Sequence, residues 1–559
     1  MEGILLEEYE QKPVAPSALK PGRYFAASYA GEHVAGTEFV IGAMFVSWGV
    51  GAGDVIAGLL VGNLLAVLSW VLICAPIATD TRLTLYAYLE KIAGPAFIKI
   101  YSVINGLLFC ILAGAMITVS ASAVRILFGI PPQVEWYPTS GTFILIALGV
   151  GAVVSFAAMR GFSFVARFSE VAAPWMIAMF FVGGAALLPV ILAGTPSISS
   201  IDGYSGFLEL AETSIWVDQG TEMGFWHVVA IAWGANLAFH GGLGDMSILR
   251  YARKSSYAWY SSLGMFIGHF AAWLAAGIMG AGAAMILSQP LTSLDAGEVA
   301  FQALGPIGIL AVIVAGWTTS NPTIYRSGLA FQSLHPAWSR QRVTLIVGVI
   351  TTIIACFPFV FTRLLDFLGI MALVMAPIGG LIFSEHFLFK KVGLTRYWRS
   401  ATGAALNMPA LLTWIASVGV AALLGYGLGI HVLFLFVPAW ITALVLYPVL
   451  AGAMGAKSVD PVALAEANQA ESQRRVAEDA YLASHSKTRL AGSGSNRLML
   501  AGAALSLAAA AWLGISALVT GDLETFQTLI IWPTVTYFIF AIMLVMRESA
   551  QEKLAVDEG

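Results

Sequence analysis

Two glycine-rich stretches, residues 41–53 (IGAMFVSWGVGAG) and residues 234–244 (GANLAFHGGLG), decide the fold of this 559-residue chain. They belong to the first and the sixth long apolar runs of the sequence, five runs apart. Glycine weakens a helix interior by about 1 kcal/mol relative to alanine, so we expect both helices to be interrupted. Interrupted helices at matching positions indicate two inverted repeats of five helices. Close helix packing is the alternative explanation of any single glycine here.

The composition is that of a membrane protein. Hydrophobic residues make up 58% of the chain and charged residues 11%, and the mean hydropathy is +0.82. Crossing a bilayer as a helix takes about 20 apolar residues. We therefore predict an all-α polytopic fold of about fourteen spans, near residues 37–53, 55–79, 97–127, 142–159, 168–194, 225–244, 256–288, 306–333, 343–361, 364–389, 408–427, 430–454, 497–519 and 525–546.

The positive charges sort by side of the membrane. Of the 28 Lys and Arg residues, only Arg125 and Arg363 fall near proposed external ends, as the positive-inside rule requires. The external stretch 195–224 contains acidic residues and neither Lys nor Arg. The N-terminus has no early apolar core or cleavage site of a signal peptide. We expect a multi-pass protein of the inner (plasma) membrane with both termini cytoplasmic.

The predicted spans divide the chain into five parts. Cys74, Cys110 and Cys356 are far apart in apolar runs, which favours core packing over disulfides. A Pro-initiated surface helix is expected in the longest polar stretch. The parts are a cytoplasmic N-terminal arm at 1–36, a twelve-helix core at 37–454, a cytoplasmic linker with the surface helix at 455–496, an accessory two-helix unit at 497–546 and a cytoplasmic tail at 547–559.

The eighth span contains the most polar stretch of the predicted core, AGWTTSNPTIY at residues 315–325. Hydroxyl oxygens are suitable ligands for a hard cation, which prefers oxygen donors. Polar groups inside a membrane cost free energy, so a cluster of them indicates a functional site. Thr318 and Thr319 are the candidate side-chain ligands. Pro322 also frees the carbonyl of residue 318, four positions earlier. The alternative is that these hydroxyls bond back to their own helix.

The order of several motifs resembles the nucleobase:cation symporter family, the purine/cytosine and hydantoin permeases. The resemblance covers roughly residues 25–450, and the chain looks like a divergent member. The motifs are GNLL at 62–65, GDMSILRYAR at 244–253, WTT at 317–319, IYRSGL at 324–329, and the segment 377–388 (PIGGLIFSEHFL).

The resemblance implies a sodium site. Its ligands in the family match the hydroxyls of Thr318 and Thr319, the carbonyl of Ala315, and carbonyls of the first span near Ile41 and Met44. Apart from this coupling ion, no cofactor is expected.

The candidate solute site departs from the family. Hydantoin-type members sandwich a flat heterocycle between tryptophans and bind it with Gln and Asn, but ungapped matching places other residues here, so the usual amide clamp is missing. A pocket with few hydrogen-bonding groups discriminates nucleobases weakly. We therefore expect a nucleobase-like heterocycle or another small nitrogenous solute. The candidate substrate-binding residues are Phe45, Trp48, Phe109, Ala113, Trp233, Asn236 and Asn321.

Three further polar residues are candidates for gating or proton transfer. His240 can relay protons near neutral pH, with a hydrogen-bonded packing role as the alternative. Asp54 either faces the outer vestibule or caps the helix that follows. Asp245 is expected to form a helix-end pair with Arg250, a kind of pair that can also act as an inner gate.

These observations predict a sodium-coupled symporter that imports a small solute by alternating access. A proton-coupled permease of the same fold and a non-transporting membrane sensor are the alternatives. The sequence has no zinc-type His spacing, no phosphate-binding glycine loop and no paired intramembrane carboxylates, so we expect no enzyme and no ATP-driven pump. The expected partners are the solute, sodium and lipid, and the net charge of −4 suggests no nucleic acid.

Overall fold

The computed structural model describes residues 9–160, 162–457, 461–484 and 494–557, which are helical throughout apart from turns and a single β-bridge between Lys20 and Ala252. The helices of the first half are α1 (Gly22–Glu32), α2 (Thr37–Ser47), α3 (Ala52–Ser69), α4 (Ala75–Thr81), α5 (Leu85–Ala93), α6 (Pro95–Val124), α7 (Gly141–Ala158), α8 (Phe162–Ala193), α9 (Gly203–Ser214), α10 (Phe225–Gly234), α11 (Leu237–His240) and α12 (Met246–Leu249).

The helices of the second half continue without a strand in the described segments. They are α13 (Ala271–Leu287), α14 (Ala296–Leu304), α15 (Pro306–Leu334), α16 (Arg340–Ala355), α17 (Val360–Phe383), α18 (Trp398–Ala401), α19 (Met408–Ala422), α20 (Phe436–Ala453), α21 (Pro461–Ser484), α22 (Gly494–Thr520), α23 (Leu523–Leu529) and α24 (Ile531–Asp557). Short π-helical turns join α3 to α4 and precede α13.

Eleven helical segments among the described residues are long and apolar enough to cross a membrane, so the protein is a multi-pass membrane protein. Three predicted spans fall outside this set. Those at 37–53 and 225–244 contain α2 and α10, of 11 and 10 residues, and the span at 343–361 matches α16, of 16 residues. A helix of 10 residues is about 15 Å long, half the hydrocarbon core. The count of fourteen stays a prediction.

The two halves of the core repeat one local design. Short helices α5 and α14 are each capped by a side chain, from Thr84 and Asp295. Each ends at a glycine with positive φ, Gly94 at +89° and Gly305 at +59°, which glycine adopts without steric cost. A proline then starts the long helix α6 or α15, because proline suits the first helical position. This recurrence fits the predicted five-plus-five repeat.

The first core helix is interrupted, as predicted, but at a different place. α1 ends at Glu32 and α2 begins at Thr37, so the break precedes the glycine-rich stretch. Gly42 instead lies within α2, where an added Cβ would be 2.5 Å from the carbonyl oxygen of Trp273. Gly42 therefore serves close packing, the alternative weighed for single glycines. The segment 1–36, expected to be a cytoplasmic arm, contains the buried α1; its residues 1–8 lie outside the described part.

The sixth core helix is interrupted within its glycine-rich stretch, as predicted. α10 ends at Gly234, Asn236 is not helical, and the short α11 ends at His240. Beyond it, Leu243 has a positive φ of 64°. The loop packs on α17 so closely that a Cβ added at Gly379 would lie 1.6 Å from the carbonyl oxygen of Gly241.

The polar stretch after the core contains the expected helix, α21, which packs on one end of the bundle. Glu478 pairs with Arg82, and both side chains are nearly buried. Arg82 also donates to the carbonyl oxygens of Arg250 (3.0 Å) and Ala252 (2.5 Å). A second pair joins Arg475 to Asp80 at 2.8 Å. The remainder of the predicted linker at 458–460 and 485–493 lies outside the described residues.

The last two long helices, α22 and α24, pack on each other and on α8. Trp175 of α8 donates to the Thr534 hydroxyl at 3.1 Å, and the Tyr537 hydroxyl donates to the Val171 carbonyl at 2.8 Å. The predicted tail from residue 547 continues α24 to Asp557. The accessory pair is thus attached to the fifth helix of the core.

We predict that Gly379→Ala lowers the free energy of unfolding by about 3 kcal/mol, because the added methyl group collides with the Gly241 carbonyl and overpacking of this kind is destabilising. The matched control is Gly419→Ala, where an added Cβ meets nothing within 4 Å. Thermal unfolding of the purified protein in detergent measures both. Equal effects of the two substitutions would contradict the close approach of the loop and α17.

Candidate functional site

A small cavity of about 50 Å³ lies where the two interrupted helices meet. Its walls come from both halves of the core, including the breaks in the first and sixth helices. Unwound backbone at such breaks leaves carbonyl and amide groups for ligands. The lining residues are Glu32, Ala35, Thr37, Glu38, Ile41, Leu112, Met116, Ala235, Asn236, Phe239, His269, Thr319, Leu364 and Leu368.

A larger cavity of about 590 Å³ lies beside α21, at the end of the bundle. Lys12, Lys91, Glu471 and Arg474 are among its lining residues, and burial lowers the pKa of Lys91 from its usual value. This cavity is not lined by the interrupted helices. The small central cavity is therefore the candidate functional site.

Three of the predicted cation ligands converge beside the central cavity. The Thr318 hydroxyl donates to the Ala315 carbonyl at 2.9 Å. The Thr319 hydroxyl lies 2.9 Å from the Glu32 carbonyl and 3.4 Å from that of Ala315. Two hydroxyls and two carbonyls from helices α15 and α1 are the oxygen donors that a hard monovalent or divalent cation prefers. Both hydroxyls also bond back to the Ala315 carbonyl of their own helix, which is the alternative that the sequence left open.

The α1 carbonyl beside Thr319, that of Glu32, is not among the carbonyls that were expected there. Ile41 lies further along, in α2, where it lines the cavity, and Met44 borders a separate cleft with Ser47 and Leu291. The Met44 carbonyl accepts from the Trp48 amide at 2.8 Å. The assignment of Ile41 and Met44 as ligands stays a prediction. The Glu32 carbonyl lies beside Thr319 because the break falls before α2 rather than at its glycines.

A buried ion network lies next to this carbonyl. The Arg326 guanidinium binds the carboxylate of Glu32, with Nη2 to Oε2 at 3.0 Å, and that of Asp245, with Nη2 to Oδ1 at 2.6 Å. Asp245 also accepts from the Trp70 indole at 2.6 Å and the Tyr29 hydroxyl at 3.2 Å. Arg326 is 1% exposed, so the two carboxylates are what compensates the burial of its positive charge.

This network corrects two expectations. Asp245 pairs with Arg326, whereas Arg250 donates to the carbonyl oxygens of Tyr9 and Ser247. Glu32 and Asp245 are also a pair of buried carboxylates that share Arg326, which the sequence analysis did not find because it assigned Glu32 to an arm outside the core.

A second buried carboxylate, Glu38, lies in the wall of the cavity and is 2% exposed. It accepts from the indole of Trp273, and its Oε1 lies 3.5 Å from Nε2 of His269. The His269 ring stacks on Trp273 with centroids 4.3 Å apart. Sequence reasoning missed both Glu38 and His269. A single ionisable residue inside an apolar run is the signal that points to them.

Of the seven predicted solute-binding residues, Asn236 borders the cavity, with its Nδ2 3.2 Å from Nε2 of His269. Phe109 stacks behind Phe239, which does line the cavity, at 5.9 Å. The other five do not line it: Phe45 and Trp48 contact each other near Trp273, Ala113 packs in a separate cluster with Val343, Trp233 donates to Ser69 and contacts Phe436, and Asn321 is buried within α15.

Two of the three gating candidates make contacts that are typical of capping and packing. The Asp54 carboxylate accepts from the Phe225 amide at 3.0 Å, as a helix-end cap does. Nε2 of the buried His240 lies 3.0 Å from the Trp233 carbonyl, which agrees with the packing alternative. Asp245 is the one placed in the central network.

Solved structures share this arrangement of helices. The chain is similar to Mhp1, a nucleobase-cation-symport-1 family transporter, in a closed conformation with bromovinylhydantoin bound, with a TM-score of 0.63 and 16% identity over 84% of this chain and 99% of that one. This is the fold of a nucleobase-cation symporter. The inward-facing conformation of Mhp1 gives a TM-score of 0.61 at 15% identity, covering 84% and 97% of the two chains.

A Na⁺-coupled sialic acid symporter in its substrate-bound outward-open state gives a TM-score of 0.54 at 14% identity, covering 78% of this chain and 90% of that one. No family model and no curated protein matches the sequence. These likenesses confirm, at the level of the fold, the resemblance that the order of motifs indicated, and they fit a divergent sequence.

We predict that Arg326→Gln lowers the free energy of unfolding by about 3–5 kcal/mol, because it leaves two buried carboxylates without their cation. The matched control is Arg363→Gln, which removes an exposed pair with Asp366 and is expected to cost less than about 1 kcal/mol. Unfolding in mixed detergent micelles measures the difference. Similar losses for both variants would contradict the buried network.

Proposed function

We propose that the protein is a secondary active transporter that imports a small solute across the inner membrane by alternating access, coupled to sodium. The observation that carries this proposal is the convergence of the Thr318 and Thr319 hydroxyls with the carbonyls of Ala315 and Glu32, at a helix break beside the central cavity. The fold, shared with cation-coupled symporters, supports the same proposal.

The charges around this point favour a bound cation. Arg326 lies between two carboxylates. When both carboxylates are ionised, the three groups together carry a net charge of −1. A buried charge without a partner is costly. A sodium ion at the Glu32 carbonyl would reduce that cost without a further protein cation.

Glu32 gives sodium a route to the conformational change. Its carbonyl belongs to the proposed ion site, while its carboxylate binds Arg326 and thereby Asp245, in the segment after the sixth-helix break. This network lies between the cavity and the end of the bundle covered by α21, which we assign to the cytoplasm. Sodium would hold α1 against α15 and so keep the inner side closed. By linkage, sodium and solute must each tighten the binding of the other.

Proton coupling is the second candidate, and the Glu38–His269 contact favours it. It differs from the proton route through His240 or Asp54, whose contacts in the structure are those of packing and capping. A transporter that relies on protons would take up solute under a pH gradient without sodium. A membrane sensor of this fold would bind solute without accumulating it in vesicles.

We predict that sodium, compared with potassium, raises the thermal unfolding temperature of the wild-type protein, and that Thr318→Val and Thr319→Val abolish the difference. At about 100 times its dissociation constant a ligand stabilises by roughly 2.7 kcal/mol. Thr352→Val is the control, since the Thr352 hydroxyl bonds to the Gly348 carbonyl of its own helix. A sodium effect that remains after both substitutions would contradict this ion site. Equal stability of the wild type in both salts would favour proton coupling instead.

A further inference from the structure

The Lys, Arg, Asp and Glu residues in the described wall of the central cavity are all acidic. Glu32 and Glu38 are among its lining residues, whereas no lysine or arginine belongs to the described lining. Glu32 has a cationic partner in Arg326. Glu38 has the Trp273 indole and the His269 ring, of which the first is a neutral donor. The cavity therefore presents one carboxylate that lacks a permanent positive charge.

The groups packed around Glu38 do not supply that charge. His269 has the His33 ring 5.1 Å away and Asn236 Nδ2 at 3.2 Å from its Nε2, so a proton on His269 would compete with a second imidazole and an amide donor. The lining residues close to Glu38 in sequence, Ala35, Thr37 and Ile41, are uncharged. A hydrogen bond from an indole stabilises a carboxylate less than an ion pair does.

The same surroundings disfavour two classes of solute. An anion would face two carboxylates in a site of low dielectric, where like charges repel strongly. A neutral nucleobase would leave Glu38 without a cation, and Asn236 is the one amide side chain in the described lining. A cation satisfies Glu38, and backbone carbonyls at the helix breaks accept from positively charged N–H groups.

Resting on the proposed transport function, we propose that the solute is a small organic cation of the amidinium, guanidinium or protonated amine type, and that the Glu38 carboxylate binds its charged N–H groups. The Trp273 indole and the His269 ring contact the two carboxylate oxygens and hold them in place in the cavity wall. Sodium occupies the separate oxygen site at Thr318 and Thr319, so the two cations bind together rather than in competition.

The first experiment uses two sets of compounds that share a shape and differ in charge: acetamidinium, acetamide and acetate, and benzamidinium, benzamide and benzoate, with guanidinium added. Binding to the wild-type protein is measured by calorimetry and thermal unfolding, in sodium and in potassium. We expect an amidinium or guanidinium to bind, its amide and acid analogues to bind at least about tenfold more weakly, and sodium to strengthen the binding.

The second experiment compares Glu38→Gln with Glu90→Gln, an exposed carboxylate on α5 outside the cavity. Glu38→Gln should weaken binding of the cation about tenfold or more and reduce the ratio between its affinity and that of the matching amide. Glu90→Gln should change neither the affinity for the cation nor this ratio. Glu38→Asp should recover part of the affinity. If Glu38→Gln does not fold, the comparison of charge states in the wild-type protein still decides.

Preferential binding of an amide or an acid, no binding by any of the cations, competition between the cation and sodium, or unchanged cation affinity in a folded Glu38→Gln variant would each overturn the proposal. Cation binding that depends on Glu38 but is the same in sodium and potassium would support the solute class and refute sodium coupling. The two proposals can therefore fail separately.

Discussion

The Arg326 guanidinium, buried between the carboxylates of Glu32 and Asp245, is the interaction on which the rest of the core depends. The three residues of this network come from α15, from the end of α1 and from the segment just after α11. These are the eighth, first and sixth helices of the core. An ionised group in a membrane interior is tolerated only with partners. The network therefore fixes both interrupted helices against a continuous one.

Close backbone packing makes the interruptions possible. The loop after α11 reaches α17 at Gly379, α2 crosses α13 at Gly42, and α3 meets α10 at Gly62, where an added Cβ would lie 2.5 Å from the Val229 carbonyl. Small residues allow helices in a membrane to approach in this way. The short half-helices thus gain contacts that their own length cannot supply, and their free carbonyls and amides remain available around the cavity.

The sequence predicted those features that a single segment encodes. The long spans, the interruption of the sixth helix, the helix α21 and the polar hydroxyls of Thr318 and Thr319 are all visible in single segments, whereas the Ala315 carbonyl came from the family resemblance. α1 was missed because its 11 residues are too few for a span and include Arg23 and Glu32. The partner that makes Glu32 tolerable, Arg326, lies nearly three hundred residues later, so its burial could not be foreseen.

The solute site shows the same limit. Asn236 was predicted from motif spacing and does line the cavity, but Trp233 and Phe45 point to other contacts because aromatic residues also serve packing. Glu38 and His269 come from different helices and meet only in the folded core. Their contact places a carboxylate in the wall of the cavity, a group that the sequence analysis did not predict there.

The central claim is that Glu32 links the ion site to the closure of the inner side. Backbone hydrogen exchange, followed by mass spectrometry in sodium and in potassium, tests it most directly. If the claim is correct, sodium slows exchange in α1 and in residues 315–326 of α15 and leaves α24 unchanged. Equal exchange of α1 in the two salts, with sodium bound, would contradict it.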